Sequence, residues 1–346
     1  MKAIQKTGSG RGNIICAQVP QALPKAGEVK IDIAYAGICG TDMSIYAGIK
    51  ETPLPVIMGH EFSGVISEVG AGVAGWKAGD RVVAETTRYS CGRCRYCKTG
   101  QHSLCSERKA FGQQTDGVFA ETVCQDATFL HRIPDGVSLL EASMTEPAAC
   151  AYHAVFDLND VKPADTAVVI GPGPMGQFAA QMLKAAGAYV IVTGVTGDEG
   201  RLKLAKELGA DETVLTDKEN IKEVISKVTE GEGADYVFEC AGFESALLTA
   251  FEIVKRMGTI VQVGIPGKGI NLPLYNNVVL KEVKIQGAFS HRYKDWDKVL
   301  RMIDKGLLKV KPLASHFYTL EQCEEAFEAK DKIKVIFNIN PGLDEN

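Results

Sequence analysis

The chain has no run of ~18 apolar residues, so a membrane-spanning helix is not expected. Its opening stretch, MKAIQKTGSGRGNII, lacks the apolar core of an export signal, which points to the cytoplasm. An excess of positive charge is missing too. Lys plus Arg number 38 against 43 Asp plus Glu, a formal net charge of -5. That balance argues against nucleic acid or an anionic membrane as the main partner. Neither an internal repeat nor a low-complexity segment interrupts the 346 residues. A chain of this length exceeds one ordinary core, so two domains are expected.

Cysteine, by contrast, is plentiful at ten residues, and in a reducing compartment clustered thiols bind metal more often than they pair. Cys91, Cys94 and Cys97 stand at two-residue gaps and Cys105 follows after seven more. Four thiolates at that spacing can close a tetrahedron around one zinc and leave no open position, the pattern of a structural site. Gly92 and Gly100 place the cluster in a loop, and Arg88, Arg93, Arg95 and Lys98 are available to offset its charge. A disulfide pair is the competing reading. Cys16, Cys124, Cys150, Cys240 and Cys323 are expected to be mostly small buried thiols.

The texture changes along the chain. Up to about Pro147 it holds short strands and Gly/Pro turns, such as Glu28–Ala34, Phe62–Val69 and Arg81–Ala84, as in a small irregular β-barrel. Thereafter apolar strands alternate with helices: Thr166–Ile170, Tyr189–Thr193, Glu212–Leu215, Tyr236–Cys240, Gly258–Val263 and Val283–Gln286. This predicts a parallel sheet covered on both faces. Gly171-Pro172-Gly173-Pro174-Met175-Gly176 sits between the first of these strands and a helix, where a pyrophosphate can approach the backbone. Thr193-Gly194 ends the next strand without the acid that usually holds the adenosine ribose, and Arg201 follows. NAD and NADP both stay open.

Two further ligand types lie upstream, Cys39 in Gly-Ile-Cys-Gly-Thr-Asp and His60 in Gly-His-Glu. With a carboxylate they would leave one zinc position for water or substrate. Taken alone, each would more often be a core residue. However, Gly59-His60-Glu61-x-x-Gly64 with Gly70-x-x-Val73, Cys39-Gly40-Thr41-Asp42, the four-cysteine lobe and the glycine turn resemble the zinc-containing medium-chain dehydrogenase/reductase superfamily in order and spacing across essentially the whole chain.

The resemblance implies an α/β protein with a GroES-like β-barrel catalytic domain at 1–148, carrying a structural zinc lobe at 88–108. It further implies a Rossmann doubly wound domain at 149–287 and a return to the catalytic domain at 288–346. It is closest to the polyol branch of sorbitol, xylitol and butanediol dehydrogenases, near threonine dehydrogenase, because of Glu146 in Thr-Glu-Pro. By that likeness the catalytic zinc is held by Cys39, His60 and either Glu61 or Glu146. Thr41 bonds the substrate alcohol, and Ser44 stands where many relatives carry a relay histidine.

Gly171, Gly173, Pro174, Met175, Gly176, Thr193, Gly194, Arg201, Cys240, Val263, Gly264, Ile265 and Phe289 are the expected contacts of the cofactor. Ser290, His291 and Arg292 are candidates to touch a polar substrate. Two zinc ions per chain, NAD or NADP, a small alcohol or ketone substrate and a homodimer or homotetramer follow as expectations. A threonine-type or simple secondary-alcohol dehydrogenase, or a non-catalytic crystallin-like member, is the alternative.

Overall fold

Alternating apolar residues in Glu28–Gly37 and Glu61–Val69 form one face of an antiparallel pair in the computed structural model, which describes residues 1–267 and 269–344. They anchor a seven-stranded sheet. Leu130–Arg132, Arg81–Ala84, Glu61–Val69, Glu28–Gly37, Lys334–Asn338 and Ala314–Tyr318 follow in that order, and Thr122–Asp126 also pairs with Glu28–Gly37. Lys334–Asn338 runs antiparallel to Glu28–Gly37 and parallel to Ala314–Tyr318, so a strand near the chain end completes a sheet begun by residue 28. Ile31, Ile33, Phe62, Phe119, Phe327 and Phe337 fill the core against it, each at most 2% exposed. A smaller sheet joins Lys2–Lys6 to Ile14–Gln18 and Val56–Ile57. These elements belong to a compact unit of Met1–Glu146, His291–Gly306 and Val310–Asn346. Residues 345 and 346 of the segment expected to return lie outside the described residues.

The second unit, Pro147–Ser290 with Leu307–Lys309, is built on six parallel strands. Their order is Glu212–Leu215, Tyr189–Gly194, Thr166–Ile170, Ala234–Glu239, Val254–Gln262 and Lys284–Gly287. In chain order that is 3-2-1-4-5-6, the doubly wound arrangement of dinucleotide-binding sheets. Ala167, Val168, Val169, Val190, Ile191 and Val192 have no exposed surface, as strands covered on both faces require. Among the described residues no helix is long and apolar enough to cross a membrane.

Candidate functional site

The helix Gly40–Tyr46 fixes the first metal-ligand candidate. Its N-cap is Cys39, and Asp42 Oδ2 accepts from the Cys39 backbone N–H at 2.9 Å, closing a capping box. The same carboxylate presents Oδ1 to His60 Nδ1 at 3.5 Å, too far for a firm hydrogen bond; neither atom has another partner. His60 precedes the strand Glu61–Val69 on Gly59, whose φ of +89° and tight approach to the Phe119 ring exclude a side chain. Cys39 Sγ, a ring nitrogen of His60 and a carboxylate oxygen of Glu61 all lie within 4.8 Å of one another.

Electrostatics in this pocket are tightly coupled. Burial pushes the Cys39 thiol up, and the neighbouring Glu61 charge adds to that, while His60 and Lys334 oppose it. Burial alone would lower the His60 pKa, but Asp42 and Cys39 carry it well above the usual imidazole value. Glu61 is wholly buried; Lys334 Nζ bonds its Oε2 and donates to Ile38 O at 2.9 Å. Its Oε1 has no hydrogen-bond partner. An orphaned carboxylate oxygen, a partly buried thiol and an imidazole whose Nδ1 faces a carboxylate are the donor set of a divalent soft-to-borderline cation. The residues fit zinc.

Glu146, in the first turn of the helix Thr145–Tyr152, is not in that group. It is 8% exposed, and its Oε1 lies 4.0 Å from His291 Nε2. His291 is itself buried, while Arg292 caps the helix Tyr293–Asp304 through its backbone N–H to Asp295 and reaches Ser103 Oγ at 3.5 Å. Ser290 carries a φ of +60° and Phe289 is half exposed. Thr41 is partly buried in the first turn after Cys39. Ser44 Oγ donates back to Gly40 O at 3.0 Å.

The four-cysteine loop closes as its spacing predicts. All four sulfurs lie within 4.8 Å of one another. Cys91 and Cys97 are separated by 3.9 Å, and Cys94 and Cys97 by 3.5 Å. Sulfurs at ~2.3 Å from a tetrahedral zinc stand ~3.8 Å apart, so this cluster also fits the ion. Backbone N–H groups aim at it: Cys94 N at Cys91, Cys91 N at Cys105 and Cys97 N at Cys94. Those of Arg93 and Cys94 pull the Cys91 thiol down to about 6. Of the basic residues around the loop, Arg93 feels the Cys91 charge. Arg93 pairs with Glu107 at 2.8 Å and Arg88 with Glu28 at 2.6 Å, because a guanidinium finds a better planar partner in a carboxylate.

In the second unit Gly171 adopts φ +100°, and a Cβ on Gly176 would sit 2.0 Å from Gly171 O. Only glycine allows that turn, which delivers Gly173 and Pro174 to the start of the helix Pro174–Ala185. Met175 lies in its first turn. Thr193 Oγ1 is buried without a hydrogen-bond partner, and Gly194 ends its strand. Arg201 is held by Asp198 at 2.9 Å, and Asp198 also accepts from Val195 N–H.

Val263 and Gly264 donate to Glu239 O, Cys240 N–H donates to Ile170 O, and Ile265 is 77% exposed. Burial raises the Cys240 thiol far above its ordinary value. Asp42, Lys334 and Glu239 escape a reading by motif. Glu239 Oε1 accepts from the backbone of both Ala241 and Gly242 at 2.8 Å. Only Asp42 carried a signal, as the last residue of Cys-Gly-Thr-Asp.

Residues 25–135 match the alcohol dehydrogenase GroES-like domain and residues 174–305 the zinc-binding dehydrogenase family. The chain is 40% identical over 329 residues to a sorbitol dehydrogenase of Halalkalibacterium halodurans, covering 95% of this chain and 96% of that one. It is 37% identical over 348 residues to a D-arabitol-phosphate dehydrogenase of Enterococcus avium, at 99% and 98% coverage. Its structure is similar to that of 2R,3R-butanediol dehydrogenase from Bacillus subtilis, with a TM-score of 0.87, 31% identity and coverage of 98% and 99%. The chain belongs to the zinc-containing, NAD(P)-linked alcohol dehydrogenases of the medium-chain dehydrogenase/reductase superfamily, in its polyol branch near threonine dehydrogenase.

Proposed function

We propose that the protein oxidises a secondary alcohol of a polyol or sugar alcohol reversibly, using NAD or NADP, with Cys39, His60 and Glu61 holding the catalytic zinc and Glu146 beside it. The observation that carries this reading is the meeting of one thiol, one imidazole and one carboxylate within 4.8 Å in a buried pocket. Bound zinc supplies Lewis acidity at the substrate oxygen, and the nicotinamide cofactor takes up hydride. The chain's own residues do the rest. Asp42 sets a negative charge beside the His60 ring, Lys334 holds one oxygen of Glu61, and Thr41 passes the alcohol proton on toward solvent. Cys91, Cys94, Cys97 and Cys105 hold the structural zinc.

The Gly171–Gly176 turn receives the pyrophosphate and Thr193-Gly194 the adenosine ribose. Pairing of Arg201 with Asp198 favours NAD, since an arginine already neutralised attracts a 2′-phosphate less. We further propose a cytoplasmic homodimer or homotetramer. Tyr275, Val279, Leu280 and Ile285 are 41–77% exposed on or near the edge strand Lys284–Gly287, an apolar area suited to a second copy. A panel of polyols, their phosphates, simple secondary alcohols and L-threonine, assayed with NAD and NADP alongside metal analysis, tests the proposal. Two zinc ions per chain and preference for a polyol are expected. Preference for simple apolar alcohols, or one zinc without turnover, would overturn it.

A further inference from the structure

The second strand of the dinucleotide-binding sheet ends without an acid, and another residue fills that place. Gly194 closes the strand Tyr189–Gly194 and has no side chain to offer. A Cβ built there would meet Asp198 Cβ at 2.9 Å, Asp198 Oδ2 at 3.1 Å and Pro172 Cγ at 3.2 Å. Pro172 belongs to the glycine turn Gly171–Gly176. The Asp198 carboxylate therefore occupies the space beside that turn which a strand-end side chain would otherwise use, where an acid meets the adenosine ribose. In sequence it stands four positions beyond Gly194, and the intervening turn brings it back.

That turn is firmly built. Asp198 N–H donates to Val195 O at 2.9 Å, and Asp198 Oδ2 accepts from Val195 N–H at 3.2 Å. Gly197 supplies the φ of +101° that the reversal needs. Thr196 N–H donates to Asp217 Oδ1 at 3.0 Å and its hydroxyl to Oδ2, which ties the turn to the chain after Glu212–Leu215. Glu199 is drawn elsewhere, to Gly197 N–H at 2.8 Å and Lys218 at 3.4 Å. Asp198 Oδ1 pairs with Arg201 at 2.9 Å, and its side chain keeps 16% of its surface exposed. A carboxylate accepts about four hydrogen bonds, so Val195 and Arg201 hold this one in place and leave it room for a ligand.

We propose that Asp198 reads the adenosine ribose. Its carboxylate accepts from the 2′-hydroxyl and repels a 2′-phosphate, so it selects NAD over NADP in place of the missing strand-end acid. This rests on the reading of the Gly171–Gly176 turn as the pyrophosphate site. Arg201, the cation that would attract a 2′-phosphate, is engaged by the same carboxylate. One side chain thereby supplies the acceptor for one cofactor and the repulsion against the other.

The test titrates NADH and NADPH into the zinc enzyme and follows the fluorescence of the reduced nicotinamide, with a melting curve for each variant. The parent should bind NADH more tightly than NADPH. Asp198→Asn keeps an oxygen for Val195 N–H but loses the charge. It should weaken NADH roughly 10-fold or more, the usual effect of losing a hydrogen bond to a charged group, without weakening NADPH. Asp198→Ala should do the same. Gly194→Asp/Asp198→Ala returns an acid to the strand end, into the space that Asp198 vacates, and should restore the preference for NADH. A role confined to shaping the turn would not be restored in this way. Equal weakening of both dinucleotides in Asp198→Asn, or an unchanged preference in both single variants, would overturn the proposal while leaving the dinucleotide turn in place. A parent that prefers NADPH would overturn it as well. A parent that binds neither dinucleotide would instead sink the reading of the turn itself.

Discussion

Replacing Lys334 by Met removes the one side-chain cation bonded to Glu61 among the described residues. Both groups are almost wholly enclosed, at 3% and 0% side-chain exposure. Burial by itself would lower the lysine pKa, but the charge and hydrogen bond of Glu61, together with the Cys39 and Glu146 charges, outweigh it and the net shift is upward. A raised value means that this contribution is complete below the ordinary lysine value of about 10.4 and is lost only as pH rises through the folded one. Breaking one side of a buried pair costs ~3–5 kcal/mol. Loss of the Nζ bond to Ile38 O adds about 1 kcal/mol. The metal-free variant should therefore be roughly 4–6 kcal/mol less stable. At about 2–4 °C per kcal/mol for a domain of this class, melting should fall on the order of 10–20 °C.

Circular-dichroism melting of the chelated protein reads this directly. Lys334→Met/Glu61→Gln should recover most of the loss, because no charge is then stranded. Zinc should raise the melting point of Lys334→Met more than that of the parent, since the ion gives Glu61 the countercharge that the lysine supplied. Metal-free Lys334→Met melting with the parent would refute the reasoning.

Two other outcomes follow from parts already described. Cys94→Ser should bind one zinc per chain instead of two and melt earlier, as the lobe loses a closed metal clip; unchanged zinc content by elemental analysis would contradict the structural site. Asp80 is held well below the usual carboxylate range by Arg132 first, then by the Lys77 side chain and backbone. Its depressed value makes the contribution full above the unfolded value near 3.9 and lost as pH falls through the folded one. Asp80→Asn should cost about 1.5–3 kcal/mol at neutrality. Urea midpoints of the two proteins should converge as pH drops below about 4, and a gap constant through acid would count against the ion pairs.

The dinucleotide-binding sheet was legible because every signal there is local. Thr166–Ile170 is apolar throughout, Gly176 must lack a Cβ, and Pro174 stands at a helix start, so pattern and turn chemistry point the same way. The cysteine lobe was legible for the same reason, all four ligands falling within one loop. The catalytic pocket was legible only as far as its motifs reach. Cys39, His60 and Glu61 carry glycine-flanked signatures, but Lys334 lies in a strand that reads as ordinary alternation, and only sheet pairing brings it to Glu61. His291 was visible as a polar residue after Phe289; its burial against Trp296 depends on how the helix Tyr293–Asp304 packs, which no local pattern encodes. The hairpin of Lys2–Lys6 with Ile14–Gln18 also lacked a tight-turn signature, since seven residues separate its strands.

The strand Lys334–Asn338 brings a question of timing to the metal pocket. Glu61 and the ammonium group that balances it lie 273 positions apart in the chain. At synthesis rates of ~5–20 residues per second, roughly 15–55 s pass between the appearance of one and of the other. During that interval the nascent chain can already present Cys39, His60 and Glu61, a thiol, an imidazole and a carboxylate with no lysine beside them. A cation captured then would meet a more negative pocket than the finished enzyme offers, so metal loading before release and metal exchange afterwards should follow different affinities.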